Sequence, residues 1–228
     1  MNLKKQAALH ALQYVRSGHV IGLGSGSTMA LFIKALGVSL KSGELSDIVA
    51  VPTSEETAQQ AREVGVKLAT LDECERLDVA IDGADEVDNN LNLIKGLGRA
   101  LLREKVVATH ADEFIIIVDK TKIVSRLGTR GPLPIEVVSF AVDSQIRWLT
   151  QLGCVAELWL SDNGLALLTD NGNPIVRCWF DDGIDNPERL AELIKSRTGI
   201  VEHGLFLSMA TKVIVAHETR VTEMESAR

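Results

Sequence analysis

Val20-Ile21-Gly22-Leu23-Gly24-Ser25-Gly26-Ser27-Thr28 opens as a short apolar strand and closes as a glycine-rich turn. A helical pattern follows at once, carried by Met29, Leu31, Phe32, Ile33, Ala35 and Leu36. Read outward from there, the same alternation repeats. DIVAVPT reads as a strand and SEETAQQAREVG as a helix; VKLATL, LDVAID and FIIIVD are further strands, with the helical segment ALLREKVVATHA between the last two. Unbroken Val/Ile runs alternating with helices predict a parallel sheet covered on both faces.

Past Leu127 the pattern changes. LPIEVV reads as a strand, SFAVDSQIRWLTQLG as a helix ended by Gly153, and CVAELWL, LALLTD and PIVRCWF as strands around a DNGN turn. NPERLAELIKSRTG has Pro187 near its start and Gly199 after its end, the usual helix punctuation, and VEHGLFL closes the series as a strand. Strand–helix–strand–strand–helix–strand is the ferredoxin-like unit; one of the strands inside LWLSDNGLALLTDNGNPIVRCWF is surplus to it. KVIVAHE is expected to return to the first sheet. The second domain is therefore expected as an insertion at 132–207, with 1–131 and 208–228 forming the first.

The chain has 228 residues and 46% hydrophobic content, enough for a buried core. With 24 basic and 31 acidic residues its net charge is −7, so no overall field draws nucleic acid or an anionic membrane, and neither is expected as a partner. The amphipathic N-terminus has no continuous signal-peptide core and no apolar run reaches membrane-spanning length, which makes the cytoplasm the expected compartment. Cys74, Cys154 and Cys178 form no CxxC and are expected as buried, inert thiols. The histidines form no HExxH, and no metal site is expected.

Four segments carry chemistry. In Gly22–Thr28 the glycines let backbone approach a ligand, and Ser27, Thr28 and the first helical amides would face an anion, most naturally a phosphate; alternatively it is a plain strand–helix turn with a Ser/Thr N-cap. A P-loop would need Lys where Ser27 stands, a dinucleotide fingerprint would need a third glycine there, and a nucleophile elbow would need its serine at another offset. In LDVAIDGADE, Asp82 ends an apolar run, the edge at which open α/β sheets bind ligands, and Asp85 could converge on the same pocket. Alternatively the segment is an Asp-Gly turn before a solvated acidic stretch. In LIKGLGRALLREK, Lys95 precedes a glycine turn, a suggestive place for an anion or oxyanion ligand. Glu104, taken alone, belongs to an REK triplet of the kind that forms a solvated, ion-paired helix face. In FIIIVDKTK a very apolar strand ends in a basic cluster, again at the ligand edge or as a solvated loop.

Together, GLGSGSTMA, AIDGADEVD, LIKGLGRALLREKVVA, FIIIVDKTK, PLPIEV, DNGN and VEHGLF resemble the type A ribose-5-phosphate isomerases over nearly the whole chain. The resemblance implies a Rossmann-like parallel-sheet domain with an inserted ferredoxin-like α+β domain. It implies an aldose–ketose isomerase working through a cis-enediol with no cofactor. It makes Glu104 the base and places Asp82, Asp85 and Lys95 beside the sugar. Ser25, Gly26, Ser27, Thr28, Gly83, Ala84, Gly96, Leu97, Gly98 and Lys122 would bind substrate. Family members are commonly dimers or tetramers, and a homodimer is expected. Leu97 and Arg99 replace the small residues usual in the turn after Lys95; Leu97 is expected either to crowd the sugar or to carry a strained φ, and Arg99 either to add a phosphate or carboxylate contact or, the favoured reading, to point to water. LGTRGPLP also departs from the usual LGxFPLP. The competing readings are a non-catalytic sugar-phosphate sensor and another sugar-phosphate enzyme of the same fold group.

Overall fold

The computed structural model describes residues 2–226. In chain order its elements are α1 (Leu3–Ala11), β1 (Val20–Leu23), α2 (Ser27–Ser42), β2 (Val49–Pro52), α3 (Glu55–Glu63), β3 (Lys67–Leu68) and β4 (Leu77–Asp82). Then come β5 (Glu86–Val87), β6 (Leu93–Ile94), α4 (Leu101–Thr109), β7 (Ala111–Asp119), β8 (Leu133–Val137), α5 (Val142–Thr150), β9 (Val155–Leu158) and β10 (Ile175–Trp179). The last are α6 (Pro187–Lys195), β11 (Ile200–His203), β12 (Leu205–Phe206), β13 (Lys212–Ala216) and β14 (Val221–Glu225). The chain divides into two compact units, Met1–Ala84 with Arg103–Lys122 and Ser208–Arg228, and Asp85–Leu102 with Ile123–Leu207.

The first unit is built on a seven-stranded sheet of order β14-β13-β7-β4-β1-β2-β3. Every pairing is parallel except β13 with β14. Both faces are covered, so β7 buries Phe114, Ile115, Ile116, Ile117 and Val118 in succession instead of alternating. Ile21, Leu23, Phe32, Ile33, Leu36, Ile117 and Ile214 share one apolar cluster. From β1 the chain builds outward through β2 and β3. From β4 it builds the other way, through β7 and β13. The carboxyl ends of β1 and β4, paired at Leu23 and Ile81, are thus the switch point where such sheets open a crevice. A Cβ on Gly22 would lie 2.5 Å from Val107 Cγ1 and 2.8 Å from Ala80 Cβ, so the bare backbone here lets α4 rest directly on the sheet.

KVIVAHE returns to this sheet as β13, as expected. The antiparallel edge strand β14 had no sequence expectation, because VTEME is short and its burial only partial. It is fastened to α1 by Glu223, whose Oε1 accepts from the Tyr14 hydroxyl at 2.6 Å and lies 2.7 Å from His10 Nε2, while Oε2 accepts from Lys212 at 3.0 Å. The Tyr14 hydroxyl, with His10 and Lys212 beside it, holds the Glu223 carboxyl down at about 2. A carboxyl depressed in the folded state stabilises at neutral pH and loses that contribution as pH falls through its folded value. The Glu223 side chain is 29% exposed, so we expect Glu223→Gln to cost only roughly 1–2 kcal/mol at pH 7. In denaturant titrations the gap to wild type should close between the ordinary value of 4.5 and about 2; a gap independent of pH would show that the ionised carboxylate is not what holds β14.

The second unit contains β8-α5-β9-β10-α6-β11 with sheet order β11-β8-β10-β9, antiparallel throughout. That is the ferredoxin-like order expected for this stretch. LALLTD, expected as a strand, makes only the isolated bridges Leu160↔Ala166 and Leu168↔Pro174. Turns at Gly164 (φ 77°) and Gly172 (φ 79°) bracket it too closely for a ladder to form. A small sheet of order β12-β6-β5 completes the unit. Cys154 and Cys178 are buried as expected, whereas Cys74 is only half-buried.

Candidate active site

In the first unit the turn after β1 and the end of β4 lie side by side at the switch point. Asp82 is buried, and its Oδ1 accepts from Ser25 N at 3.1 Å and from Gly83 N at 2.7 Å. One carboxylate oxygen therefore ties the two loops together. Gly24 is held by Ile81 O at 2.9 Å, and a Cβ on it would stand 2.0 Å from the Asp82 carboxyl. Gly26 takes φ 95° at the N-cap of α2, a conformation that side chains rarely adopt. Its cap carries no side-chain hydrogen bond, which leaves the amides of Ser27 and Thr28 at the positive end of the helix for an anion.

Hydroxyls from the next loop hold this turn from behind. Ser25 Oγ lies 2.8 Å from Thr53 Oγ1, 2.9 Å from Ser54 Oγ and 3.2 Å from Thr57 Oγ1. Thr53 and Thr57 donate in turn to the carbonyls of Leu23 and Gly24, both at 3.0 Å. Lys4 on α1 donates to Ser27 Oγ at 2.8 Å, bringing an ammonium to the same turn. No local signal marks Lys4 or the Thr53–Thr57 hydroxyls, because each lies on an element distant in sequence from the turn it meets.

Glu104 sits in the first turn of α4 and is 5% exposed. The REK triplet is divided among faces: Arg103 reaches out to Glu55 at 2.9 Å, while Glu104 shares the buried face with Leu101, Val107 and Ala108. The solvated-face reading of Glu104 is thereby excluded. Since α4 leads into β7, a strand parallel to β4, its N-terminal turn lies toward the carboxyl edge of the sheet. Lys122 lies just beyond β7 at that same edge, in the short turn Lys120–Lys122, and is half-buried; its neighbour Lys120 pairs instead with Glu218 at 2.6 Å.

In the second unit, Asp85 N donates to Ile94 O at 2.8 Å, and Asp85 Oδ2 accepts from Leu97 N at 2.9 Å. The acidic side chain thus shapes the turn Lys95–Gly98. Lys95 is buried, and its ammonium lies 5.5 Å from the centroid of the Phe206 ring. Gly96 has φ 114°, and a Cβ there would meet Leu101 at 2.7 Å, so this position needs glycine on both counts. Leu97 avoids a positive φ and is 37% exposed; Arg99 carries the left-handed conformation instead, at φ 63°. Arg99 was expected to point to water, but its Nη1 donates to Leu168 O at 3.0 Å, clamping the turn to a neighbouring loop. Where the LGTRG loop departs from the usual pattern, the buried Glu86 carboxylate gathers the amides of Gly128, Arg130 and Gly131 at 2.6, 2.8 and 3.0 Å.

Residues 49–220 match the family model for ribose 5-phosphate isomerase A (phosphoriboisomerase A). A ribose-5-phosphate isomerase A of Synechococcus is 51% identical over 94% of this chain and 93% of its own length. The one from Roseiflexus castenholzii is 47% identical over 97% and 94%. Among solved structures, a D-ribose-5-phosphate isomerase in complex with phospho-erythronic acid aligns at TM-score 0.95 and 44% identity, covering 99% of this chain and 100% of that one. The ribose 5-phosphate isomerase of Plasmodium falciparum aligns at 0.96 and 39%, covering 99% of both. The chain belongs to the ribose 5-phosphate isomerase A family.

Proposed function

We propose that this enzyme interconverts D-ribose 5-phosphate and D-ribulose 5-phosphate through a cis-enediolate, with Glu104 as the base. The observation that carries the assignment of the base is the burial of Glu104 in the first turn of α4, at the carboxyl edge of the sheet. Glu104 takes the C2 proton of the open-chain aldose. The electron pair forms the C1–C2 double bond, and the former carbonyl oxygen on C1 carries the negative charge. The 2-hydroxyl proton then passes to the C1 oxygen as C2 becomes the carbonyl, and Glu104 returns its proton to C1. Oxidation of C2 and reduction of C1 balance within one molecule.

Lys95 supplies positive charge to the enediolate oxygens, the kind of interaction that acts on the transition state more than on bound sugar. Asp82 and Asp85 assist ring opening while fixing the turns that bind substrate. Ser25, Gly26, Ser27 and Thr28 bind the phosphate through the first amides of α2, with Lys4 and Lys122 adding charge. Gly83, Ala84, Gly96, Leu97 and Gly98 present backbone to the sugar. We assign the enzyme to the cytoplasm as a homodimer acting in the non-oxidative pentose phosphate pathway. Among the described residues no helix is long and apolar enough to cross a membrane.

The test is turnover of ribose 5-phosphate by the purified enzyme in D2O, with chelator present. The enediolate route places solvent deuterium on C1 of ribulose 5-phosphate, because the carboxyl proton exchanges before its return. Turnover with no deuterium at C1 would indicate direct hydride transfer. Absence of turnover would favour a sugar-phosphate sensor.

A further inference from the structure

VEHGLF is one part of the sequence pattern to which the reaction gives no role, and it runs alongside Lys95. β12 pairs antiparallel with β6 in the register Leu205↔Ile94 and Phe206↔Leu93. One step further along, Lys95 N donates to Gly204 O at 2.9 Å, so Gly204 stands opposite Lys95. In such a ladder the residue two places on, Phe206, lies diagonally across on the same face as Lys95. A Cβ on Gly204 would lie 2.2 Å from Lys95 O and 3.0 Å from Pro134 Cδ. The strand opposite Lys95 is therefore bare, and the lysine side chain leans across the diagonal to the ring. Phe206 is fully buried and Lys95 nearly so, which removes the water that would otherwise weaken attraction between an ammonium and an aromatic face.

We propose that Gly204 and Phe206 are positioning residues for Lys95: the glycine sets the strand spacing, and the ring face holds the ammonium where charge develops on the substrate. This rests on the reading of Lys95 given above. The ring contributes through its quadrupole and not only through its bulk.

The test replaces Phe206 by leucine and, site-specifically, by pentafluorophenylalanine, which keeps the ring's shape while reversing the sign of its face. Both are expected to lower kcat about tenfold with KM changed less than about twofold. 4-Fluorophenylalanine should fall between. In a Lys95→Ala background, replacing Phe206 by leucine should cost nothing further, since the two side chains act as one unit. Wild-type kcat in the pentafluoro enzyme would overturn the proposal, and because that ring fits the same space it decides the matter even if the leucine variant fails to fold. Lys95→Ala alone separates the two readings: near-native turnover there would remove the role of Lys95 itself, whatever Phe206 does.

Discussion

Glu104→Gln is expected to lower kcat by at least about 10³-fold, near the upper part of the range for loss of a general base, while substrate still binds within a fewfold of wild type. The amide has the shape of the carboxyl but cannot accept the C2 proton at any accessible pH. The substitution should leave the fold intact, because the position tolerates a polar group of this size on a helix face that also carries Leu101, Val107 and Ala108. Binding should persist because the phosphate contacts proposed above lie elsewhere, at the α2 turn and Lys122. Steady-state kinetics with calorimetric titration of a non-isomerisable sugar phosphate separates the two effects. Near-native turnover would remove Glu104 from the reaction. Loss of binding together with turnover would indicate that its carboxylate mainly organises the pocket.

The second large effect is expected at a residue that need not touch the reacting carbons. Gly24→Ala places a methyl 2.0 Å from both Cγ and Oδ1 of Asp82, a separation that atoms cannot adopt. Asp82 ends a buried strand and holds two loop amides, so it has little room to retreat. The turn Ser25–Thr28 must move instead, and with it the amides assigned to the phosphate. We expect kcat/KM to fall by about 10²-fold or more, with a stability loss of roughly 1–3 kcal/mol as for other overpacked sites. Gly131→Ala is the control: its backbone φ is ordinary, and the added Cβ would meet only Leu97 Cδ1, at 3.9 Å. Equal kinetic losses in both variants would mean that the contact with Asp82 is not the cause.

Lys95 and its neighbours illustrate how the site was only partly legible in advance. The glycine turn after Lys95 raised the expectation of a strained φ at Leu97, yet the side chain that carries the unusual φ is Arg99. Which residue of a turn adopts the left-handed conformation follows from the hydrogen bonds closing it, here Arg99 N to Gly96 O and Leu97 N to Asp85, and these join residues that the sequence merely lists in order. Glu104 shows the same limit from the other side. Three consecutive charged residues spread around a helix, so composition makes every one of them look solvated. Packing of α4 on Gly22 decides which one is buried.

By itself the sequence determined the parallel sheet, because strands covered on both faces must be apolar without alternation, and the ferredoxin-like order, because helix and strand periods differ and glycine and proline punctuate them. It also determined that a glycine-rich turn joins β1 to α2, since clustered glycines between an apolar run and a helical pattern punctuate such a connection. Tertiary structure alone decided that β1 and β4 are neighbours at the switch point, that Lys4 reaches Ser27, and that Phe206 lies against Lys95. The two-residue strands β5 and β6 were equally hidden, and VEHGLFL, expected as one strand, divides into β11 and β12 in two different sheets. A period cannot be read from two residues, and contacts between segments far apart in the chain depend on strand order and register, which local propensity does not encode.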